Sequence, residues 1–357
     1  MKSYLYVLVI FLLAACVILA VFYYGDLPNT HNNGFKRSYF QKAWSNSKEM
    51  KVPETLYGIV GMTPWNVYIS TATEGEILEI GKDLLGKPKK ISIPGFARWY
   101  DSLQLSSLSI WVDSPRIYLF AENKPAIVKT NFDSSSFEIR ILPPGGFSRE
   151  AIAGPDCFIL RKFDPRVTDQ IFVRYNFSTG RLKKEANISE TYGDGGIISD
   201  GQLHFDRVTQ KLCYIYYYKN LILSFDTSLG SVNKFASIDT TTTFKMKTGL
   251  VRNGGTTAFT NITPANIINK LNYVQNGLLF NMSTLKADNE SDKLFAGNSV
   301  IDVIDLKSGS YLGSMRFPVY NGSTLSQFVI SGEKLIGLYP HRIISYDLNL
   351  ELDRQHQ

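Results

Sequence analysis

The sequence predicts an all-β domain that follows one apolar N-terminal helix. The chain of 357 residues opens with a long uncharged run, whereas the remainder is rich in Phe (22), Tyr (20) and Gly (27). That composition suits pleated, half-buried strands joined by many turns. Beyond residue 52, strand–turn–strand units recur and almost no amphipathic helix is visible, which argues against α/β enzyme classes.

The apolar run covers 21 residues from Tyr4 to Tyr24. A helix of that length reaches about 30 Å, the thickness of the hydrocarbon core of a bilayer. Lys2 precedes the run and Asp26 follows it, so the positive-inside rule keeps the N-terminus in the cytoplasm. We expect residues 1–24 to form a signal-anchor helix in the inner membrane, with the large domain in the periplasm or outside the cell.

Two other interpretations of this run remain open. A cleaved signal peptide would have a shorter apolar region that ends in a small-residue cleavage site. The segment Leu13-Ala-Ala-Cys16 matches the lipobox of bacterial lipoproteins, in which Cys16 would be acylated after cleavage. All three interpretations place the domain outside the cytoplasm.

Residues 25–51 are polar and contain Pro28, several Asn residues and Gly34, as loops do. We expect this segment to be a tether, with the folded domain over residues 52–357.

The clearest repeat unit spans Gly201 to Ile238. Its apolar runs read as four strands joined by tight turns, Gln202–Asp206, Leu212–Tyr218, Leu221–Phe225 and Ser231–Ile238. Four antiparallel strands joined by hairpins form one blade of a β-propeller.

The third strand of this unit and the turn after it recur along the chain. Asp or Ser often begins the turn because its side chain can accept hydrogen bonds from backbone N–H groups of the turn. The six predicted third strands are Ile77–Ile80, Ile127–Phe132, Ile171–Tyr175, Leu221–Phe225, Val300–Ile304 and Arg342–Tyr346.

The spacing of these strands predicts six blades. The intervals are about 42 to 52 residues except for one of about 79, and a four-stranded blade needs about 40–45. The long interval contains Thr240–Thr263, which we interpret as an inserted loop without structure of its own. Seven blades, or a pair of β-sandwiches, are the alternatives.

The last blade lacks one strand, since only a short polar segment follows Asp347. Propellers close by pairing strands from the two chain ends, which removes an open sheet edge. We expect Gly34–Phe40 or Lys51–Ile59 to supply the missing strand.

Two segments carry a resemblance to a known group of proteins. The turn Gln275-Asn276-Gly277 leads into Leu278-Leu-Phe280, and Val300–Gly313 repeats the strand–turn–strand pattern. Together they resemble the uncharacterised six-bladed, TolB-like propeller proteins of Gram-negative bacteria. The resemblance implies a fold and an envelope location, and it carries over no functional residue.

Few residues suggest a catalytic or metal-binding site. His204 and Asp206 share one face of a strand, where they could ligate a metal, act as a base, or form an ordinary satisfied polar pair. Cys157 and Cys213 lie in apolar runs without a Cys-x-x-Cys pattern, so we expect two separate buried thiols, although a bridge between them is possible. No nucleotide, cofactor or nucleophile motif is present, and we expect no cofactor.

The long insertion is the other candidate site. It holds Lys245, Lys247 and Arg252 beside Gly254-Gly255. These cations could meet an anionic partner or a lipid headgroup, or the stretch could be a mobile connection.

Together these features favour a membrane-anchored propeller that acts as a non-catalytic binding or scaffolding module. We expect a protein or small-molecule partner at the propeller face and no nucleic acid, because the net charge of +6 is mild and scattered. The alternative is a propeller enzyme of the metal-dependent lactonase or quinoprotein-dehydrogenase type.

Overall fold

The computed structural model describes residues 6, 10–19, 33–103, 108–122, 124–134, 136–185, 188–244, 246–253 and 256–350. Between residues 33 and 350 the domain is built of strands, apart from the short helices Phe96–Leu103 and Asp292–Ala296. The expected all-β class is therefore confirmed.

About half of the N-terminal apolar run, residues 4, 5, 7–9 and 20–24, lies outside the described residues. Within it, Tyr6 and residues 10–19 are helical and mostly exposed, and Cys16 carries a free thiol. In the described part of the chain, no helix combines the length and the apolar character needed to cross a bilayer.

The strands group into six sets of four. The first two sets form one eight-stranded sheet. It is joined where their first strands, β2 (Leu56–Met62) and β6 (Leu108–Asp113), meet in a single parallel bridge between Gly61 and Val112. A Cβ atom on Gly61 would collide with the carbonyl oxygen of Val112, so this approach requires glycine.

The first three sets use strands β2 to β13. In chain order these strands are Leu56–Met62, Asn66–Thr71, Glu76–Gly81, Lys89–Ser92, Leu108–Asp113, Arg116–Ala121, Ala126–Asn131, Phe137–Ile141, Phe147–Gly154, Cys157–Asp164, Asp169–Asn176 and Arg181–Glu185.

The remaining sets use β14 to β17, β20 to β23, and β24 to β26 with β1. Strands β14 to β26 are Gly201–Asp206, Lys211–Tyr216, Leu221–Asp226, Asn233–Ala236, Thr248–Asn253, Thr256–Asn261, Asn269–Gln275, Leu278–Ser283, Asn298–Asp305, Tyr311–Pro318, Gln327–Ser331, Lys334–Tyr339 and Arg342–Leu348. The short strands β18 and β19 pair with each other as a hairpin.

Because the strands in each set are antiparallel, the connections divide between two faces. We define the loop face as the side of the domain that carries two kinds of connection. The connections from second to third strands are 72–75, 122–125, 165–168, 217–220, 284–297 and 340–341. The connections from each set to the next are 52–55, 93–107, 142–146, 186–200, 237–268 and 319–326. The turn face is the opposite side. Both short helices and the β18–β19 hairpin belong to the loop face.

The six predicted third strands are the third strands of the six sets. Phe225, Ile304 and Tyr346 are fully buried, as their expected positions require. The hydrophobic clusters combine side chains from neighbouring sets, such as Phe172 of β12 with Tyr214 of β15 and Phe225 of β16. Burial between sheets explains why these strands are apolar on both faces.

The last set is completed by β1 (Trp44–Lys51), which pairs antiparallel with β26. The expected closing segments, Gly34–Phe40 and Lys51–Ile59, were therefore wrong in position. Strand β1 is the outermost strand of its set, and most of its residues are exposed. An outer strand that buries neither face has no apolar alternation, so its pattern did not distinguish it from a loop.

Residues 33–40, which we expected to belong to the tether, also belong to the folded domain. Tyr39 bridges to Ser314 on β23, and the Arg37 side chain is fully buried beside β22. Its Nε lies 2.7 Å from Asp302 Oδ1 and its Nη1 lies 2.7 Å from Glu290 Oε2. Burial raises the pKa of Asp302, and the hydrogen bond and charge of Arg37 oppose that rise.

The stretch Thr240–Thr263 is likewise not a loop throughout. Thr248–Asn253 and Thr256–Asn261 form the regular antiparallel hairpin β18–β19. We expected no structure here because alternating apolar residues are lacking. Leu250 and Val251, which point to the two faces of β18, are both exposed, so neither face of this strand is buried in the way that produces alternation.

We expect Arg37→Ala to lower the free energy of unfolding by about 3–5 kcal/mol, because it leaves the buried Asp302 without a cation and Glu290 with only the more distant Arg316 Nη2, at 3.9 Å. Urea unfolding of the full chain measures the change. Lys36→Ala is the matched control, since Lys36 is the exposed neighbour, and it should change stability by less than about 0.5 kcal/mol. Equal midpoints for the two variants would show that the ion pairs do not hold this segment.

Candidate functional site

The predicted residue His204 lies on the first strand of the fourth set and faces the fifth. Its Nε2 is 2.6 Å from Oδ1 of Asn272 on β20. Burial lowers the pKa of His204 to about 4, so the ring is neutral at pH 7 and Nε2–H donates to the amide oxygen. The Gln202 side chain also hydrogen-bonds to β20: its amide N–H donates to the Lys270 carbonyl, and its amide oxygen accepts from the backbone N–H of Asn272. His204 therefore links two first strands.

Asp206 has a different partner set. Its carboxylate accepts hydrogen bonds from the backbone N–H of Val208 at 3.0 Å, the hydroxyl of Thr209 at 2.9 Å and the backbone N–H of Gly277 at 2.5 Å. The Asp206 side chain therefore caps the turn between β14 and β15 and also binds the turn between β20 and β21 of the next set. The two predicted residues share a face of β14, yet each is satisfied separately. Across the described residues, no group of three or more His, Cys, Asp and Glu side chains is placed to hold a metal ion.

The other predicted residues lie on the periphery or in the core. Lys247 and Arg252 are exposed at the β18–β19 hairpin, and Lys245 is outside the described residues. Cys157 is half-buried and Cys213 is buried, and both thiols are free. Burial raises the pKa of Cys213, which keeps that thiol protonated.

A groove opens on the loop face where the ring of sheets closes, and we call it the seam groove. Its volume is about 690 Å³, inside the range of about 300–1,000 Å³ typical of small-molecule sites. Its lining residues are Lys51, Val52, Pro53, Tyr320, Asn321, Ser323, Tyr339, Pro340, His341 and Arg342.

Ring closure places two cations side by side in this groove. Lys51 ends β1, Arg342 begins β26, and the two are paired residues of the sheet. Arg342 Nη1 lies 2.8 Å from Glu49 Oε2. Lys51 has no ion pair within the described part of the chain, so its charge is available to a ligand.

A row of tyrosines forms one wall of the groove. The Arg342 guanidinium lies 5.2 Å from the centre of the Tyr320 ring, and Tyr339 meets that ring edge-on at 4.9 Å. Burial raises the pKa of Tyr339 to about 12, and its hydroxyl donates to the Pro318 carbonyl at 3.0 Å. The wall is therefore aromatic, and its Tyr339 is protonated and held in position by a hydrogen bond.

His341 stands at a backbone position that favours glycine. It follows Pro340 in the two-residue turn between β25 and β26, with a φ of 55°. Pro followed by a residue with positive φ is the pattern of a type II turn, in which glycine or asparagine is usual. The imidazole Nδ1 lies 3.1 Å from the Glu54 carbonyl oxygen, so Nδ1–H donates there and Nε2 stays open to the groove.

Sequence reasoning missed this site. Lys51 and Arg342 lie at opposite ends of the chain, and only the pairing of β1 with β26 brings them together. No role was assigned to His341 from the sequence alone. The one local signal was the Pro340-His341 pair, in which a bulky residue occupies a turn position suited to glycine.

Solved structures show which fold this arrangement represents. A member of the DUF4221 family from Bacteroides vulgatus matches with a TM-score of 0.51 and 12% identity, over 86% of this chain and 97% of that chain. It is a β-propeller protein. This chain has a β-propeller fold. Virginiamycin B lyase from Staphylococcus aureus matches with a TM-score of 0.48 and 12% identity, over 85% of this chain and 99% of that chain. The sequence matches no protein-family profile and no curated protein.

The neutral state of His204 predicts a dependence of stability on pH. Its pKa is about 4 when folded and about 6.5 when unfolded, so the unfolded chain binds more protons between these values. The contribution of His204 to the free energy of unfolding is therefore fully present above about pH 6.5 and decreases as the pH drops toward 4. His204→Gln keeps an N–H donor but does not titrate. We expect its urea midpoint to fall less than that of the wild type between pH 7.5 and 5. An equal decrease of the urea midpoint in the wild type and in His204→Gln would contradict this explanation.

Proposed function

We propose that this protein is a six-bladed propeller, anchored in a membrane by residues 1–24, that acts as a non-catalytic binding module. The six sets of four strands support six blades, with β1 completing the last. The narrower resemblance to TolB-like proteins remains a prediction. The seam groove is the proposed ligand site.

The convergence of Lys51, His341 and Arg342 against the wall of Tyr320 carries this proposal. Ammonium and guanidinium groups make strong, charge-assisted hydrogen bonds to carboxylates and phosphates. An aromatic wall adds an apolar surface beside them. The groove therefore suits a small molecule that carries a carboxylate or phosphate group.

We expect succinate or inorganic phosphate to raise the melting temperature of the full chain, and glucose to leave it unchanged. A ligand at 100 times its Kd stabilises the folded state by about 2.7 kcal/mol. Thermal unfolding followed by fluorescence measures the shift at increasing probe concentration.

Two variants place the effect in the groove. Lys51→Ala should reduce the anion-induced shift severalfold, whereas Lys48→Ala, an exposed change on the same strand, should not. His341→Gly relieves the positive φ, so it should preserve the melting temperature without ligand and still reduce the shift. Equal shifts in Lys51→Ala, His341→Gly and the wild type would refute the seam groove as the binding site.

The anchor is tested separately. We expect the chain to resist extraction from membranes by alkaline carbonate, and mass spectrometry of the purified protein to show residues 1–24 retained. A mature N-terminus at an acylated Cys16 would replace the anchor with a lipoprotein. Release by carbonate without a lipid group would disprove anchoring of either kind.

A further inference from the structure

The N-terminal segment joins the domain at the loop face. The backbone N–H of Asn33 donates to Asp288 Oδ1 at 2.7 Å, and Thr240 Oγ1 donates to the Asn33 carbonyl at 2.6 Å. Asp288 lies in the connection between β21 and β22, and Thr240 lies in the connection between β17 and β20. Both connections belong to the loop face, so the described part of the domain begins on this side.

Only a short stretch separates this point from the apolar run. The run ends at Tyr24, which leaves residues 25–32 as the link. Nine peptide steps of about 3.3–3.6 Å span at most about 30 Å. A domain anchored by that run therefore has the rim of its loop face within about 30 Å of the bilayer.

The β18–β19 hairpin presents apolar residues on this same face. Leu250 is 61% exposed, Val251 is 50% exposed, and Ile262, just beyond β19, is 66% exposed. Consecutive strand residues point to opposite faces, so the exposure of both Leu250 and Val251 leaves an apolar side chain accessible on each face of β18.

The hairpin is fixed to the body of the domain through Phe259, the cross-strand partner of Leu250, and through the residues before β18. A Cβ atom on Gly195 would lie 2.6 Å from the Phe259 ring, which shows how closely the hairpin packs on the connection between β13 and β14. Met246, just before β18, is buried, and Phe244 meets the Tyr192 ring edge-on at 5.0 Å. The direction of the hairpin is therefore set by packing.

The part of this connection that follows Asp239 carries charge of one sign. From Thr240 to Ile268 the sequence contains Lys245, Lys247 and Arg252 and no Asp or Glu. Lys247 and Arg252 flank Leu250 and Val251, and neither cation has an ion pair within the described residues. Apolar side chains flanked by cations are the pattern of segments that bind anionic membrane surfaces.

We propose that the β18–β19 hairpin inserts Leu250 and Val251 at the headgroup boundary of an anionic bilayer, while Lys247 and Arg252 contact lipid phosphates. This inference rests on the membrane location in the proposed function and adds a second point of contact. It also orients the domain, because a hairpin and an anchor that leave the same face turn that face toward the membrane.

Tryptophan quenching tests the contact. Leu250→Trp, in the full chain reconstituted with anionic lipid, should lose fluorescence severalfold more than the wild type when the lipid carries bromine near the headgroup end of its acyl chains. The wild type gives the background of the four native tryptophans. Val208→Trp is the matched control, because Val208 is 70% exposed in a turn of the opposite face, and it should match the background.

The charge is tested in the same assay. Adding Lys247→Glu and Arg252→Glu to Leu250→Trp should reduce the quenching, and so should raised salt or purely zwitterionic lipid. Quenching that is unchanged by the two substitutions, by raised salt and by zwitterionic lipid would disprove the role of the cations. A blue shift in the emission of the Leu250→Trp variant that grows with protein concentration without lipid would show self-association and overturn the membrane as the partner.

The two proposals fail in different ways. If the chain resists carbonate but Leu250→Trp shows only background quenching, the hairpin contact is wrong and the anchor stands. If carbonate releases the chain, the anchor is wrong, and quenching of Leu250→Trp by added anionic vesicles still decides the hairpin.

Discussion

The pairing of β1 with β26 is the interaction on which the ring of sheets depends. Each sheet buries its faces against two neighbours, so the first and last sheets must meet for the core to be complete. Strand β1 comes from the N-terminal side of the chain and lies on a sheet made otherwise of C-terminal strands. Arg37 holds residues 33–40, which precede β1, against the domain. Its guanidinium pairs with the carboxylates of Glu290 and Asp302, whose charged forms would otherwise be unfavourable when buried.

Closure also creates the candidate site. Lys51 comes from the closing strand and Arg342 from its partner, so a ligand that bridges them contacts both ends of the folded chain. Such a ligand binds the closed ring and not the unfolded chain, and mass action then stabilises closure. Binding at the seam and stability of the ring are coupled for this reason.

The sequence predicted the third strands well and the outer elements poorly, for one physical reason. Strands such as Leu221–Asp226 are buried on both faces, so their apolar runs and following turns are visible locally. Strand β1 and the β18–β19 hairpin are exposed, and exposed strands carry no such pattern. His204 and Asp206 share a face as predicted. Asp206 also binds the local residues Val208 and Thr209, but its partner Gly277 and the His204 partner Asn272 come from the next set, which no local pattern encodes.

The loop face carries the seam groove, the start of the folded chain and the exposed hairpin, and this arrangement raises an electrostatic question. An anionic bilayer repels an anionic ligand, but its potential falls off over about 8 Å at physiological salt. Leu250 and Val251 are the third and fourth residues of β18, so about 7–10 Å of strand separates them from the base of the hairpin. In the proposed orientation this distance is close to the screening length, so most of the surface potential has decayed at the level of the loop face. The cations Lys51 and Arg342 then oppose what remains of the repulsion between the bilayer and an anionic ligand.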